Sequence, residues 1–282
     1  MGRGGPAGFS VTDFDVLAST YGVVGDGTTD NTAALQSFFN ASAGKRGLVD
    51  ISGTVLTGKV SPKSNSTIAI SSSCTLKKKL NGVSVIGIAE SENITILGGN
   101  GAKVLGDDLP GTSAFSSTII VTGSKRIKFQ DLHVDGSSAG NAGKDCYYIG
   151  VGAAGQKCED ILIVGGSAKN AKRNNISVVG SLRGVLRNME LSGATGAPGA
   201  GVGIEANFYD DVDQTLIENC HVHHNEHGGI VQVFASNSKI VGGSIHDNGT
   251  YGAGAGSGGT QFDDGVYRPN VDIFGVTGTD NA

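Results

Sequence analysis

Short β-branched runs return along this chain about every 24 to 34 residues, each followed by a Gly, Asn or Ser turn and a second short run. Ile94-Thr95-Ile96, Ile127-Lys128-Phe129, Ile161-Leu162-Ile163, Leu216-Ile217 and Ile240-Val241 open successive members of one series. A second series interleaves with it at a spacing of about 27 residues: Ile149-Gly150-Val151, Ile176-Ser177-Val178, Gly203-Ile204-Glu205 and Gly229-Ile230-Val231. A repeat of this period is the signature of a solenoid, because no single unit can bury its own apolar face and only stacking closes the core.

A solenoid lengthens without outgrowing its core, so 282 residues need no division into two globular units. Glycine is abundant, 47 residues, while proline numbers only 5, which excludes collagen-like and Pro-rich linker compositions and makes the glycines turn residues. With no Trp, the core is expected to be stacked Ile, Val and Leu. A net charge of -5 argues against a general nucleic-acid or anionic-membrane binder, which relies on a basic surface. No run reaches the roughly 18 apolar residues of a membrane span, and the first eight residues lack the apolar stretch of a secretory signal. Cys74, Cys146, Cys158 and Cys220 have no metal-type spacing and read as buried free thiols, with Cys146 and Cys158 the one pair placed for a bridge.

Three segments follow. Residues 1–20 read as a lead with a short strand over Phe14 to Leu17, residues 21–48 as a capping motif with a helix, and residues 49–282 as about eight coils. The helix is expected to start at a cap on Thr29 or Asp30, to bury Ala34, Leu35, Phe38 and Phe39, and to stop by Gly44. Asn-containing turns recur at Gly99-Asn100, Asn170, His224-Asn225 and Asp247-Asn248, where φ can be positive. The coil at Val271 to Ala282 shows no cap after it, which suggests a fragment or an end covered by another subunit.

Tyr21, Gly22, Gly25, Asp26, Gly27, Thr29, Asp30, Thr32, Ala34 and Gln36 fit a YGxxGDGxTDxTxAxQ run, followed by Gly47-Leu-Val-Asp-Ile-Ser52. This resembles the N-terminal signature of the pectate lyase superfamily. The resemblance implies an all-β, single-stranded right-handed parallel β-helix with an N-terminal capping α-helix. It also implies a polysaccharide partner, since the superfamily includes polysaccharide lyases, glycoside hydrolases, alginate epimerases and phage tailspikes.

Charged residues that interrupt an apolar strand mark the chemistry. Glu205 does so, beside Ser177 or Val178 and Val231 or Gln232 of neighbouring coils, and Asp210, Asp211 and Asp213 follow it closely. Paired carboxyls are what glycosidic cleavage needs, and coil spacing sets their separation: near 5 Å on adjacent rungs for retention, near 9.6 Å across two rungs for inversion. Glu205, Asp210, Asp211 and Arg173 are therefore the catalytic candidates. Lys172, Tyr148, Gln232, His223, Asp264 and Arg268 are the substrate-binding candidates, and Lys144, Asp145 and Tyr147 lie about one coil before Arg173. A lyase or epimerase would use Lys172 or Arg173 to neutralise a uronate carboxylate and a Tyr or His to take its proton. The epimerase Tyr-Gly-x-Asp-Pro-His motif is absent, and so is the polygalacturonase set, to which Glu226-His227-Gly228 and Arg126-Ile127-Lys128 are the nearest runs. His221, His223, His224 and His227 cluster, but His246-Asp247-Asn248 one coil later makes His-x-Asn part of the repeat, so no metal site is expected. No cofactor is expected either, although acidic turns admit Ca²⁺.

The chain is thus expected to be a glycan-cleaving tailspike or depolymerase-type domain. The alternatives are a non-catalytic glycan-binding or structural β-helix, and a lyase or epimerase. Nucleic acid and membrane are excluded as partners. A homo-oligomer, as a trimer or as part of a virion, is the assembly that the resemblance suggests, with an extracellular or virion-associated location.

Overall fold

The computed structural model describes residues 9–79, 84–106, 117–137, 145–206, 211–233, 237–249, 260–262, 272–275 and 277. They coil into a parallel β-helix with three faces, sheets of 12, nine and seven strands, here called sheets 1, 2 and 3 in the order the chain visits them in each coil. Every pairing is parallel and joins a strand to its counterpart one coil away, as in Ile94 to Ile127 to Ile161.

Side chains alternate across each strand, so every second residue joins an inward column. On sheet 1 the column runs Ile68, Ile96, Phe129, Ile163, Leu186, Ile217 and Ile240. On sheet 2 it runs Val55, Leu76, Val104, Val134, Ala168, Leu191, Val222 and Ile245. Sheet 3 contributes Ile86, Ile119, Tyr147, Ile176, Val202 and Ile230. All of these are buried and belong to one apolar cluster. Each such side chain contributes about 1.5–3 kcal/mol by leaving water.

Corners are made by single residues in the left-handed region. Asn170, His224 and Asp247, with φ of 57°, 54° and 51°, turn the chain out of sheet 2 in successive coils, and Gly193 takes the same place between the first two. Asn93, Arg126, Asp160 and Arg183 do this at the start of sheet 1, with φ of 54–58°. Asn and Asp tolerate this conformation through local hydrogen bonds, which explains the repeated Asn turns. Inside the corner between sheets 2 and 3, Asn175, Asn225 and Asn248 form a buried amide ladder, with links of 3.0 and 2.8 Å.

The cap motif has a similar account. The helix spans Thr32–Ala41 and buries Leu35, Phe38 and Phe39. Its N-cap is Asn31 rather than Thr29 or Asp30. The Asn31 amide instead takes the Val24 N–H and donates to Val24 O, stitching the glycine loop shut, while Asp30 accepts the Thr32 N–H at 3.1 Å. Asp26 accepts from Thr28 and Thr29, which lowers its pKa to about 2. Gln36 accepts the N–H of Ser61 and donates to its C=O, fixing the helix to the coil beneath.

Two readings are corrected. Glu205 is in register with Val233, not with Val231 or Gln232. The strand Val185–Arg187 forms a full rung of sheet 1 that the periodicity passed over, because Gly184 and Arg187 leave it an apolar run of only two residues, Val185 and Leu186, of which Leu186 is the buried one. The four cysteines are buried free thiols, and Cys146 and Cys158 are not bridged: their Sγ atoms contact Lys169 O at 3.1 Å and Gly150 O at 3.3 Å.

Replacing Asn225 by Ala removes bonds to Asn175, Asn248, the Ala194 N–H and Leu191 O in one step. Each buried group left unpaired costs about 1–3 kcal/mol. The urea midpoint is therefore expected to fall with little change in the slope of the transition.

Candidate functional site

The site lies at the sheet 3 side of three consecutive coils. Asp145 stands two residues ahead of the strand Tyr147–Gly150, and Arg173 and Asn174 stand just ahead of Ile176–Val178 in the next coil. Glu205 ends Ala200–Glu205 one coil further on. Tyr148, Ser177 and Gly203 form one outward column between these ends.

Arg173 joins the two acids. Its Nη1 lies 3.4 Å from Asp145 Oδ2 and donates to Ser177 Oγ at 2.9 Å, while its Nη2 donates to Glu205 Oε2. Asn174 closes the ring of contacts, donating to Ser177 Oγ at 3.0 Å and to Glu205 Oε1 at 3.3 Å, and accepting the Ala200 N–H at 3.0 Å. Gly203 is required here, since a Cβ at that position would land on the Asn174 amide nitrogen. Gly150 plays the same part for Tyr148, whose ring occupies the space a Cβ would take.

The two carboxyls differ in surroundings. The Asp145 side chain is 3% exposed, against 20% for Glu205 and 28% for Arg173. Burial pushes Asp145 up to about 6, and it does so despite the Arg173 charge and the Asn174 N–H, which both favour the ionised form. Burial works against the charge of Arg173 too, but Asp145 and Glu205 outweigh it and hold the guanidinium more firmly protonated. Burial raises the Tyr148 hydroxyl above its ordinary range, and Asp145 adds to this.

Of the residues named from the sequence, Glu205, Arg173 and Tyr148 come together on this face, and Lys172 is a half-buried neighbour of Arg173. Asp211 and Asp213 do not join them. Asp211 lies 3.6 Å from Lys157, and Asp213 sits in a sheet 1 strand, bonded to Asn237. Gln232 is in register with Ile204, on the inward face and 6% exposed, so it cannot meet a substrate on the outer face. His223 belongs to sheet 2. Asp210, Asp263, Asp264 and Arg268 lie outside the described residues.

Asp145 is the partner of Glu205 that sequence reasoning left without a role, Asn174 was not singled out, and Ser177 and Gly203 were named only as strand residues. A signal existed: Asp145 and Asn174 both stand two residues before a strand, at Tyr147 and Ile176, and aligning strand starts would have stacked them. Among the described residues no group of three or more His, Cys, Asp or Glu is arranged to hold a metal ion.

No family model matches the sequence, and no curated protein matches it. Solved structures do. PfbA, a surface adhesin of Streptococcus pneumoniae, is 13% identical, with 93% of this chain and 72% of that one covered and a TM-score of 0.68. The A-module of the Azotobacter vinelandii mannuronan C-5 epimerase AlgE6 is 16% identical, over 95% and 78%, at 0.59. An iota-carrageenase complexed to iota-carrageenan fragments is 16% identical, over 94% and 64%, at 0.58. At these identities the likeness is one of fold: the chain is a right-handed parallel β-helix of the pectate lyase-like kind.

Asp145 carries a pH signature whose sign is fixed by its raised pKa. Ionising it in the folded state is costly above about pH 6 and free in the unfolded chain above about 3.8, so this group adds stability as pH falls from 6 towards 4. Asp145→Asn is expected to abolish that increment in thermal melts. Arg173→Met is expected to move the Asp145 carboxyl above 6, read by carboxyl-carbon NMR.

Proposed function

We propose that this β-helix acts on polysaccharide and cleaves glycosidic bonds on the outer face of sheet 3, with Asp145 and Glu205 as its carboxyl pair. One observation carries the reading: two carboxyls from strands two rungs apart converge on one guanidinium, and burial raises one of them to about 6. A carboxyl that is half-protonated near pH 6 suits protonation of the leaving oxygen, while its partner activates water or attacks the sugar. Their strands stand two rungs, about 9.6 Å, apart along the axis, and both carboxyls lean inward onto one guanidinium, which brings the pair closer than that spacing and into the inverting range, with room for that water. Arg173 fills this gap in the free protein, so substrate must displace it, leaving Asn174 and Ser177 to hold Glu205 and the departing sugar. The shared fold of the epimerase and the carrageenase supports a glycan as the polymer. An extracellular or virion-borne position, in a trimer or larger assembly, suits such a role.

The same guanidinium favours a second reading. Arg173 neutralises both acids, as in a structural ion network on a glycan-binding face without catalysis, and one of the similar structures is an adhesin. Elimination fits less well: Arg173 is already engaged by two carboxyls, and burial keeps the Tyr148 hydroxyl protonated, which weakens it as a base.

The deciding assay follows reducing ends, together with the ultraviolet absorbance of unsaturated products, over a panel of neutral and acidic bacterial and algal polysaccharides. New reducing ends without that absorbance are expected. Glu205→Gln and Asp145→Asn are each expected to lower the rate by at least about 100-fold while glycan binding persists, and the first-formed anomer should be inverted. Binding without cleavage across the panel would leave the second reading standing.

A further inference from the structure

Sheet 2 carries a group of four imidazoles that the glycan reading does not use. His221 and His223 are the outward residues of the strand His221–His223, and His246 ends Ser244–His246 in the next coil, in register with His223. His224 is the corner residue that follows. The ring centroids of His221 and His223 are 4.2 Å apart, and the His223 and His246 rings stack at 5.4 Å with planes 6° apart.

Two contacts are nitrogen to nitrogen. His221 Nε2 is 2.6 Å from His246 Nε2, and His223 Nδ1 is 2.7 Å from His224 Nδ1. Each is a hydrogen bond only if one nitrogen carries a proton and the other does not. The surrounding charges settle which. Asp247 Oδ2 lies 2.7 Å from His246 Nδ1, so that nitrogen is the N–H, His246 Nε2 is the acceptor and His221 Nε2–H the donor. Glu190 Oε1, itself paired with Lys169 at 2.6 Å, faces His223 Nε2 at 3.4 Å. His223 is then protonated on Nε2, and its Nδ1 accepts from His224 Nδ1–H. In this arrangement each ring carries one proton.

Among the described residues the facing groups are few. The neighbouring strands bring Glu190 and Lys169, Asp247 comes from the corner, and His133 lies three rungs back in the column of His221, bonded to Ser167. One added proton per pair is still held as an imidazolium–imidazole hydrogen bond, but once both rings of a pair carry two protons N–H faces N–H across 2.6 or 2.7 Å, and four cations lie close together with two carboxylates to offset them. The corner that carries these rings also carries Asn225 and Asn248 on its inner side, so strain on the outer wall is transmitted to the buried amide ladder.

We propose that this cluster is an acid-sensitive latch: singly protonated, it fastens the coils bearing His221–His223 and Ser244–His246 to each other, and proton uptake below neutrality releases them. Histidine is the side chain that changes charge in that range. The effect is opposite in sign to that of Asp145, which adds stability on acidification, so the two devices separate in a pH series. Burial, and then His221, lower the folded-state pKa of His223, which gives the same sign: stability is lost as pH falls through the ordinary histidine range.

The test is hydrogen exchange of the full chain near pH 7.5 and near pH 5, corrected for intrinsic rates and read by peptide. Protection over residues 219–249 is expected to fall at least tenfold more than over 117–135, and His221→Gln with His246→Gln is expected to remove the difference. A uniform change along the helix, or a local loss that persists in the double variant, overturns the latch. Should the double variant not fold, imidazole NMR of the unmodified protein decides: coupled titration of the four rings supports the proposal, and four independent single-site curves reject it.

Discussion

Every element of this protein depends on stacking in register at one coil per rung. A residue on one coil can satisfy its backbone and cover its apolar face only if the equivalent residue lies directly above it, and the left-handed corners are what return the chain to that position. This is why Asn170, Gly193 and Asp247, and with them His224, take the left-handed corner while strand residues vary freely among Ile, Val, Leu, Phe and Tyr. Stability in such a fold is a sum of neighbour terms. A polar group buried at a corner is therefore tied to the coils on both sides, as Asn225 is to Asn175 and Asn248.

The candidate site uses the same stacking for a different end. Outward-facing residues would ordinarily be solvated, but Asp145, Asn174 and Ser177 are buried beside Arg173, with Tyr148 lying over Gly150 and Asn174 over Gly203, glycine positions that leave them room. Two glycines with no turn to make, Gly150 and Gly203, shape the site as much as the charged residues do. The consequence is a carboxyl held near half-ionisation at about pH 6 beside one that is more open to water. Such a pair suits acid–base chemistry and is costly in a wall with no function.

The fold was largely legible from the sequence, since the repeat and the Tyr21 to Gln36 run both act through backbone requirements that sequence states directly: Gly at Gly27, with φ of 75°, and amides at Asn31 and Gln36 that each accept a backbone N–H and donate to backbone carbonyl oxygen. The site was legible only in part. Glu205 and Arg173 stand out because they are charged amid apolar residues, and Tyr148 because it is adjacent to them in the repeat. Asp145 did not, because its partners come from the coils on either side, Ser117 and Arg173, and such neighbours are about 28 residues away in sequence. A register error of one residue, as between Glu205 and Gln232, exchanges the inner and outer faces, which is why Gln232 was placed outside and lies within.

Gln232 has one more effect. Before Gln232 the inward column runs Ile88, Val121, Ile149, Val178 and Ile204, five aliphatic residues that would stack almost as well if displaced by a whole coil. Near-identical rungs invite slippage, and an amide in that row, like the edge-on Phe129 and Tyr147 rings at 5.3 Å elsewhere in the core, fits only one alignment. These irregular residues give individual coils an address, so that a chain built from repeats closes in a single order.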